Sequence, residues 1–329
     1  MNLLLIIIFA VLILIPVNIH AEEIPKWIKT IVGWWVEDQI TDGEFVDAME
    51  YVFEKKLIYV NPKIENDFLR EIAVFETNQK IHLFETSLNL RSNHVEFLSE
   101  IPEIQSLATL LHDEKNFKFD TVLKNNILKQ FQKFAESDNA IDQIRILNMT
   151  GMEILRINNV NDNLVLVSDN RLQEKSHKEY FSEILTIGPH DVYISKINLN
   201  EEFNKVQIPY TPTIRIGTVI HDSEKDFVGI LLVNYNLQEL LDNLSQSIIC
   251  DVVIFDQDGT SISHYDEMKE FGIQLGTNFS YFDEHPEIQR EKNKDLGWYF
   301  DLLNQKMIIK QKAILENSEN SWHMVCELK

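Results

Sequence analysis

Arg215 sits in the apolar run Thr213-Ile-Arg-Ile-Gly217, where strand alternation would turn its side chain away from Ile214 and Ile216. A guanidinium on such a face can bind an anion through two parallel hydrogen bonds, pair with a carboxylate, or reach solvent. Tyr193, in Asp191-Val-Tyr-Ile-Ser195, offers a ring and a hydroxyl to a ligand or to packing, and Lys178 offers a cation among surface-like charges. Arg145 and Arg156 flank a hairpin and are expected to form structural ion pairs. Other chemistries lack their residues. The ten histidines are scattered without an HxH or HxxxH pair, and no G-x-S-x-G, Walker or cysteine–histidine signature occurs. Asp256-Gln-Asp258-Gly259 begins like a calcium loop but lacks the later ligands at their spacing, so it reads as a hairpin turn. The expectation is binding rather than catalysis, with no enzyme activity, cofactor or metal.

A turn that occurs twice shows which elements must position these residues. Ile144-Arg-Ile-Leu-Asn148-Met-Thr-Gly151-Met-Glu-Ile154 reads as strand, tight turn, strand, and Val252-Val-Ile-Phe-Asp256-Gln-Asp-Gly259-Thr-Ser-Ile262 reads the same way 108 positions later. That period is too long for a solenoid and suits two copies of one small domain. Strands are predicted at 142–147, 152–158, 163–167, 191–195, 212–220 and 227–235, with helices at 177–186 and 236–246. A second set of strands follows at 251–255, 260–264, 297–302, 306–314 and 321–327, around an irregular stretch 266–296. Before them, Ile64, Phe68, Ile72 and Phe75, and later Leu123, Ile127, Phe131 and Phe134, repeat at helical spacing, with Pro102 between. Residues 24–60 read as a small helical module in which Trp27, Trp34 and Trp35 are expected to supply a miniature core, the alternative being a ligand platform. Thr41-Asp-Gly-Glu44 matches a capping box at a helix start, and Leu57–Val60 is a short extended run.

Composition narrows the partners. With 52 acidic against 30 basic residues in 329, the net charge is −22, which disfavours nucleic acid. Leu3–Ile15 is an almost unbroken apolar run closed by Pro16, followed by Ile19-His-Ala21; it reads as a signal peptide or a retained membrane anchor over 1–21, placing the rest outside the cell. Cys250 and Cys326 are equally compatible with a disulfide and with two buried thiols.

Residues 63–329 resemble the double Cache extracellular sensor domains of histidine kinases and chemoreceptors. The resemblance rests on Asp142-Gln-Ile-Arg145 through Asn158, on Leu172-Gln-Glu-Lys-Ser-His-Lys178-Glu-Tyr180-Phe181, on Asp191-Val-Tyr193-Ile-Ser195 and Ile208-Pro-Tyr-Thr-Pro-Thr-Ile-Arg215, and on Gly229-Ile-Leu-Leu-Val-Asn234-Tyr-Asn-Leu237. Residues 25–60 resemble a short tryptophan-bearing module of exported archaeal proteins. The resemblance implies an α+β fold of two tandem PAS-like Cache modules after a long helical stalk: stalk 63–138, membrane-distal module 139–246, second module 247–329. It implies a small-molecule pocket in the first module, lined by Lys178, Tyr180, Phe181, Tyr193, Arg215 and Asn234. Amino-acid sensors of this family use an arginine, a tryptophan and an aspartate where Lys178, Tyr180 and Asn234 stand, which puts amino-acid binding in doubt and leaves a carboxylate or a neutral molecule. The expected function is an extracellular ligand-binding sensor without its own output domain, handing its state to a membrane-bound signalling partner and pairing as a homodimer through the stalk. The alternative is a cell-surface interaction or scaffold protein with a vestigial pocket.

Overall fold

The structure is a computed structural model that describes residues 26–36, 39–41, 43–45, 48, 62–111, 119–160, 163–188, 190–202, 205–301, 306–315, 318 and 320–329. The N-terminal apolar run and Leu57–Val60 lie outside these residues. No helix among the described residues is long and apolar enough to cross a membrane. The chain divides into two compact units, Met1–Asp67 and Phe68–Lys329. In the first unit, helix α1 (Lys26–Val36) places Trp35 in a 4.6 Å ring stack on the buried Phe45. The capping box is formed: Glu44 Oε2 accepts from the Thr41 amide at 2.9 Å, and Thr41 Oγ1 accepts from the Glu44 amide at 3.2 Å.

The second unit opens within α2 (Pro62–Ser99), whose 38 residues correspond to about 57 Å at 1.5 Å per residue. Its buried positions Ala73, Thr77, Phe84, Leu88 and Val95 recur at steps of four and seven, one apolar seam along the helix. Pro102, with no amide hydrogen to donate, starts a new helix, α3 (Pro102–Leu111), rather than extending α2. Helix α4 (Thr121–Ser137) is capped by Asp120, which accepts from the Leu123 amide at 2.9 Å.

Two antiparallel sheets follow. The first contains β1 (Ile141–Asn148), β2 (Glu153–Val160), β3 (Asn163–Leu166), β4 (Tyr193–Ile194), β5 (Asn198–Leu199), β8 (Pro212–His221) and β9 (Phe227–Asn236) in the order β3-β2-β1-β9-β8-β4, with β5 also on β8. Helix α5 (Glu179–Ile184) and the two-stranded ribbon β6 (Glu201–Glu202) and β7 (Lys205–Val206) lie in its connections, and α6 (Gln238–Ser245) leads to the second sheet. That sheet runs β11-β10-β14-β13-β12, from β10 (Cys250–Asp256), β11 (Ser261–Ser263), β12 (Leu296–Asp301), β13 (Lys306–Ala313) and β14 (Trp322–Leu328). Both sheets bury one face in a common apolar core with the helices: Ile144, Ile146, Ile214, Ile216, Leu231 and Val233 from the first, Val252, Ile254, Ile309 and Trp322 from the second. Phe84 of α2 meets Trp322 edge-on at 5.6 Å, so the long helix packs on the second sheet as well.

The α+β class, the tandem modules and the long helix are those expected from the sequence. The stretch 266–296 is more regular than its polarity suggests: it holds α7 (Gly272–Leu275), α8 (Tyr281–Glu284) and α9 (Pro286–Arg290), each too short to show a helical period. Cys250 and Cys326 form a disulfide between neighbouring strands β10 and β14, on the face turned to the core.

Candidate functional site

The other face of the first sheet carries polar side chains in register. Pairing aligns Asn158, Gln143, Asn234 and Arg215 in one cross-strand row, and Arg156, Arg145, Leu232, Gly217 and Tyr193 in the next. A third row, Glu153, Leu147, Ile230 and Val219, is mostly apolar and forms a floor with Tyr180, Phe181 and Ile184 of α5. Gly217 lets α5 approach, since a Cβ there would meet Leu232 Cδ1 at 2.6 Å and Ile184 Cδ1 at 2.9 Å.

A hydrogen-bonded network crosses the polar rows. Gln143 Oε1 accepts from Arg145 and, at 3.2 Å, from Asn234 Nδ2, while Gln143 Nε2 donates to Glu202 Oε1 at 3.0 Å. Arg156 donates to the same Glu202 oxygen at 2.6 Å and to Asn158 Oδ1 at 2.9 Å. Glu153 lies 3.4 Å from Arg145 and 3.7 Å from Arg156, and Lys175 Nζ donates to Gln173 Oε1 at 2.7 Å. Arg215 donates to Asn198 Oδ1 at 2.7 Å and, among the described residues, makes no ion pair. Burial and the neighbouring charge of Arg145 pull Arg215 and Lys175 below their ordinary pKa values. Burial pushes the Tyr180 hydroxyl up, against the opposing pull of Arg145 and Arg215. Burial would raise the Glu202 carboxyl, but its bond from Gln143 and the nearby arginines hold it below the usual range.

Arg145 Nε and Asn234 Oδ1 are buried without a partner, and the buried Tyr180 hydroxyl has Arg145 beside it but no hydrogen bond of ordinary geometry. A buried donor or acceptor left unmade costs about 1–3 kcal/mol. Their gathering on one sheet face marks a place where another molecule would complete the bonding. Beside it opens a cleft of about 380 Å³, lined by Gln143, Arg156, Asn158, Gln173 and Glu202 and also by Asp142 and Arg171.

Of the residues singled out in the sequence, Tyr193, Arg215 and Asn234 share this face, and Tyr180 and Phe181 lie over it. The Tyr193 hydroxyl turns outward to Glu183 Oε2 at 2.6 Å. Lys178, at the start of α5, is 3.6 Å from Glu201, and none of Lys178, Tyr180, Phe181, Tyr193, Arg215 and Asn234 lines the cleft itself. Arg145 and Arg156 make the expected ion pairs, and both belong to the polar rows. Gln143, Glu153, Lys175 and Glu202 were not singled out. Gln143 was legible from alternation with Arg145 along β1, whereas Glu153 joins the face only through the register shift between Ile146 and Leu147, and Lys175 and Glu202 reach it from loops whose course no periodicity reveals.

The second sheet treats the same face differently. Counting back from the turn glycines, Val253 stands where Arg145 does and Phe255 where Leu147 does. Phe255 is stacked between Tyr281 at 4.7 Å and His323 at 5.1 Å, in a cluster with Val325 and Ile308. Glu327, in the position of Asn234, accepts from Tyr281 Oη at 2.9 Å. Aromatic side chains fill this face of the second module.

A sequence model of the family described as "Bacterial histidine kinase, sensor domain" matches residues 69–325. Among solved structures, the extracellular domain of vpHK1S-Z8, assigned as a histidine kinase, superposes with a TM-score of 0.63 at 18% identity, covering 80% of this chain and 90% of that one. A domain of a protein assigned to the sensory box/GGDEF family from Vibrio parahaemolyticus gives 0.64 at 18% identity, covering 80% and 95%. The sensory domain of the Campylobacter jejuni chemoreceptor Tlp3 with isoleucine bound gives 0.52 at 12% identity, covering 81% and 94%. At these identities the likeness is one of fold. No curated protein matches the chain.

Proposed function

The chain belongs to the bacterial histidine kinase sensor-domain family, and from that premise we propose that it is an extracellular sensor whose small-molecule site is the polar face of the first module, over Arg145, Tyr180, Arg215 and Asn234. One observation carries this reading: Arg145 Nε and Asn234 Oδ1 lie buried and unpartnered on this face, and the Tyr180 hydroxyl is buried without a hydrogen bond of ordinary geometry. Tlp3 has been solved with isoleucine and with L-valine. In this chain the face carries Asn234 where family amino-acid sensors carry an aspartate, so an ammonium group would lose a charge-assisted bond. Lys178, paired with Glu201, acts at the rim rather than as a direct contact.

Ligand on this face bears on strands β1, β8 and β9, whose opposite side packs against the helices through Ile144, Ile216 and Val233. Binding then biases two packings of sheet on helix, and the long helix carries the difference. The N-terminal apolar segment would export the protein or hold it at the membrane, where a signalling partner reads the helix. Thermal melting of the purified protein against amino acids, carboxylates, amines, purines and sugars tests the reading. A ligand at 100 times its Kd adds about 2.7 kcal/mol, and that shift should vanish in Arg215→Ala. Cooperative melting with no shift for any class would favour the interaction-protein reading instead.

A further inference from the structure

Four cations, Arg145, Arg156, Lys175 and Arg215, stand on or beside the polar face, each no more than 9% exposed. Against them stand two carboxylates, Glu153 at 1% and the Glu202 side chain at 13% exposed. Of the more exposed charges nearby, Lys178 pairs with Glu201, Glu183 holds the outward-turned Tyr193 hydroxyl, and Asp142 and Arg171 line the cleft with one charge of each sign. Burying an uncompensated charge is costly, so a face with this surplus favours a ligand that brings negative charge.

Glu202 differs from Glu153 in origin. Glu153 is part of the sheet, with Oε2 fixed by the Gln173 amide at 3.0 Å. Glu202 arrives on the two-residue strand β6, which among the described residues pairs with β7 alone. Its carboxylate nonetheless takes the bonds that a ligand carboxylate would seek: Arg156 at 2.6 Å, Gln143 at 3.0 Å and Gln173 at 3.4 Å. It also walls the cleft from which a ligand would enter.

We propose that the site takes a carboxylate ligand bearing more than one negative charge, and that Glu202 holds the place of one of its carboxylates in the unliganded protein. The inference rests on the reading of the polar face as the ligand site. Ligand would release Glu202 from Arg156 and Gln143 and set its remaining charge against Arg145 and Arg215. Displacement would reach the second module, because Gln274 of α7 holds the same segment: Gln274 Oε1 accepts from the Leu199 amide at 2.7 Å, and Gln274 Nε2 donates to Glu201 Oε1 at 3.2 Å.

Calorimetric titration of the wild type, Glu202→Ala and the isosteric Glu202→Gln tests this, with succinate, malate and citrate as probes and isoleucine, putrescine and glucose for comparison. The expected result is binding of a di- or tricarboxylate, at least ten-fold tighter once the Glu202 carboxylate is gone, and lost in Arg215→Met. Carboxylate binding by the variants alone supports the proposal equally, since the internal carboxylate then outcompetes the probe. Unchanged or weaker carboxylate binding in both variants would overturn it. Binding of isoleucine, putrescine or glucose alone, lost in Arg215→Met, would overturn the ligand class and leave the site standing. No binding of any probe by proteins that melt cooperatively would remove both. Glu202→Gln keeps the test open if Glu202→Ala does not fold.

Discussion

Asn148 and Asp256 do the same work 108 residues apart. Asn148 Oδ1 accepts from the amides of Thr150 (3.1 Å) and Met152 (2.9 Å), and Asp256 Oδ1 accepts from those of Asp258 and Thr260, both at 2.9 Å. Three residues after each, a glycine takes a positive φ, 82° at Gly151 and 87° at Gly259. Asp222 repeats the arrangement in the β8–β9 hairpin, accepting from Glu224 and Asp226 at 2.9 Å each. The carboxylate of Asp256 thus serves a turn, as its sequence setting suggested.

The turn glycines are under two constraints at once. A Cβ at Gly151 would meet the Ser176 backbone nitrogen at 2.7 Å, and one at Gly259 would meet Ser280 Oγ at 2.4 Å. Gly151→Ala and Gly259→Ala should each destabilise by about 1–3 kcal/mol, and Asn148→Ala by about 1 kcal/mol. Urea unfolding reads these as lower midpoints, and unchanged midpoints would mean that the neighbouring loops yield.

The disulfide closes 76 residues of chain. Loss of a crosslink over a loop of this size typically costs about 2–4 kcal/mol through the entropy of the unfolded chain. Cys250→Ala with Cys326→Ala, or full reduction, should lower the free energy of unfolding by that amount while leaving far-ultraviolet dichroism unchanged. Equal stability with and without reductant would count against the bridge.

The strands were legible because alternation and turn chemistry are local. Arg215 was expected to face away from Ile214 and Ile216, and it does: both isoleucines are fully buried in the helix-side core while Arg215 stands in the polar row. The site was legible only in part, because its rows depend on register. Strand β1 shifts register between Ile146 and Leu147 and again between Ile141 and Gln143, and these irregularities set which residues meet Arg145 and Asn234. Glu202 and Lys175 come from short loop segments, and the fate of Cys250 and Cys326 depended on a pairing that spacing does not fix.

Asp142 gives the stability of the first module a pH dependence. Burial pushes its carboxyl up to about 6, above the ordinary value of 3.8. Between these values the folded protein holds a proton that the unfolded chain releases, so stability falls as pH rises from about 4 to about 6 and stays lower above. Asp142→Asn should therefore raise stability at pH 7.5, by roughly 1–2 kcal/mol after discounting for solvent access, and change little near pH 4. Melting curves of both proteins across pH 3.5–7.5 check this; a difference independent of pH would assign the effect to packing.

Tyr180 links stability to binding. Its hydroxyl is buried beside Arg145 without a hydrogen bond of ordinary geometry, so the unliganded protein bears a desolvation cost that a phenyl ring would not. Tyr180→Phe should raise the melting temperature of the free protein, by about 0.5–1.5 kcal/mol in stability, because the ring's contacts with Leu147, Ile230 and Leu232 are kept. The same change should weaken ligand binding, since the atom removed is one the ligand would satisfy. Both quantities come from one series of melts with and without ligand. A hydroxyl with only a structural role would move the first and spare the second. A hydroxyl already satisfied in the free protein would lower the melting temperature on removal, and the reading of this face as an incomplete bonding site would then lose its main support.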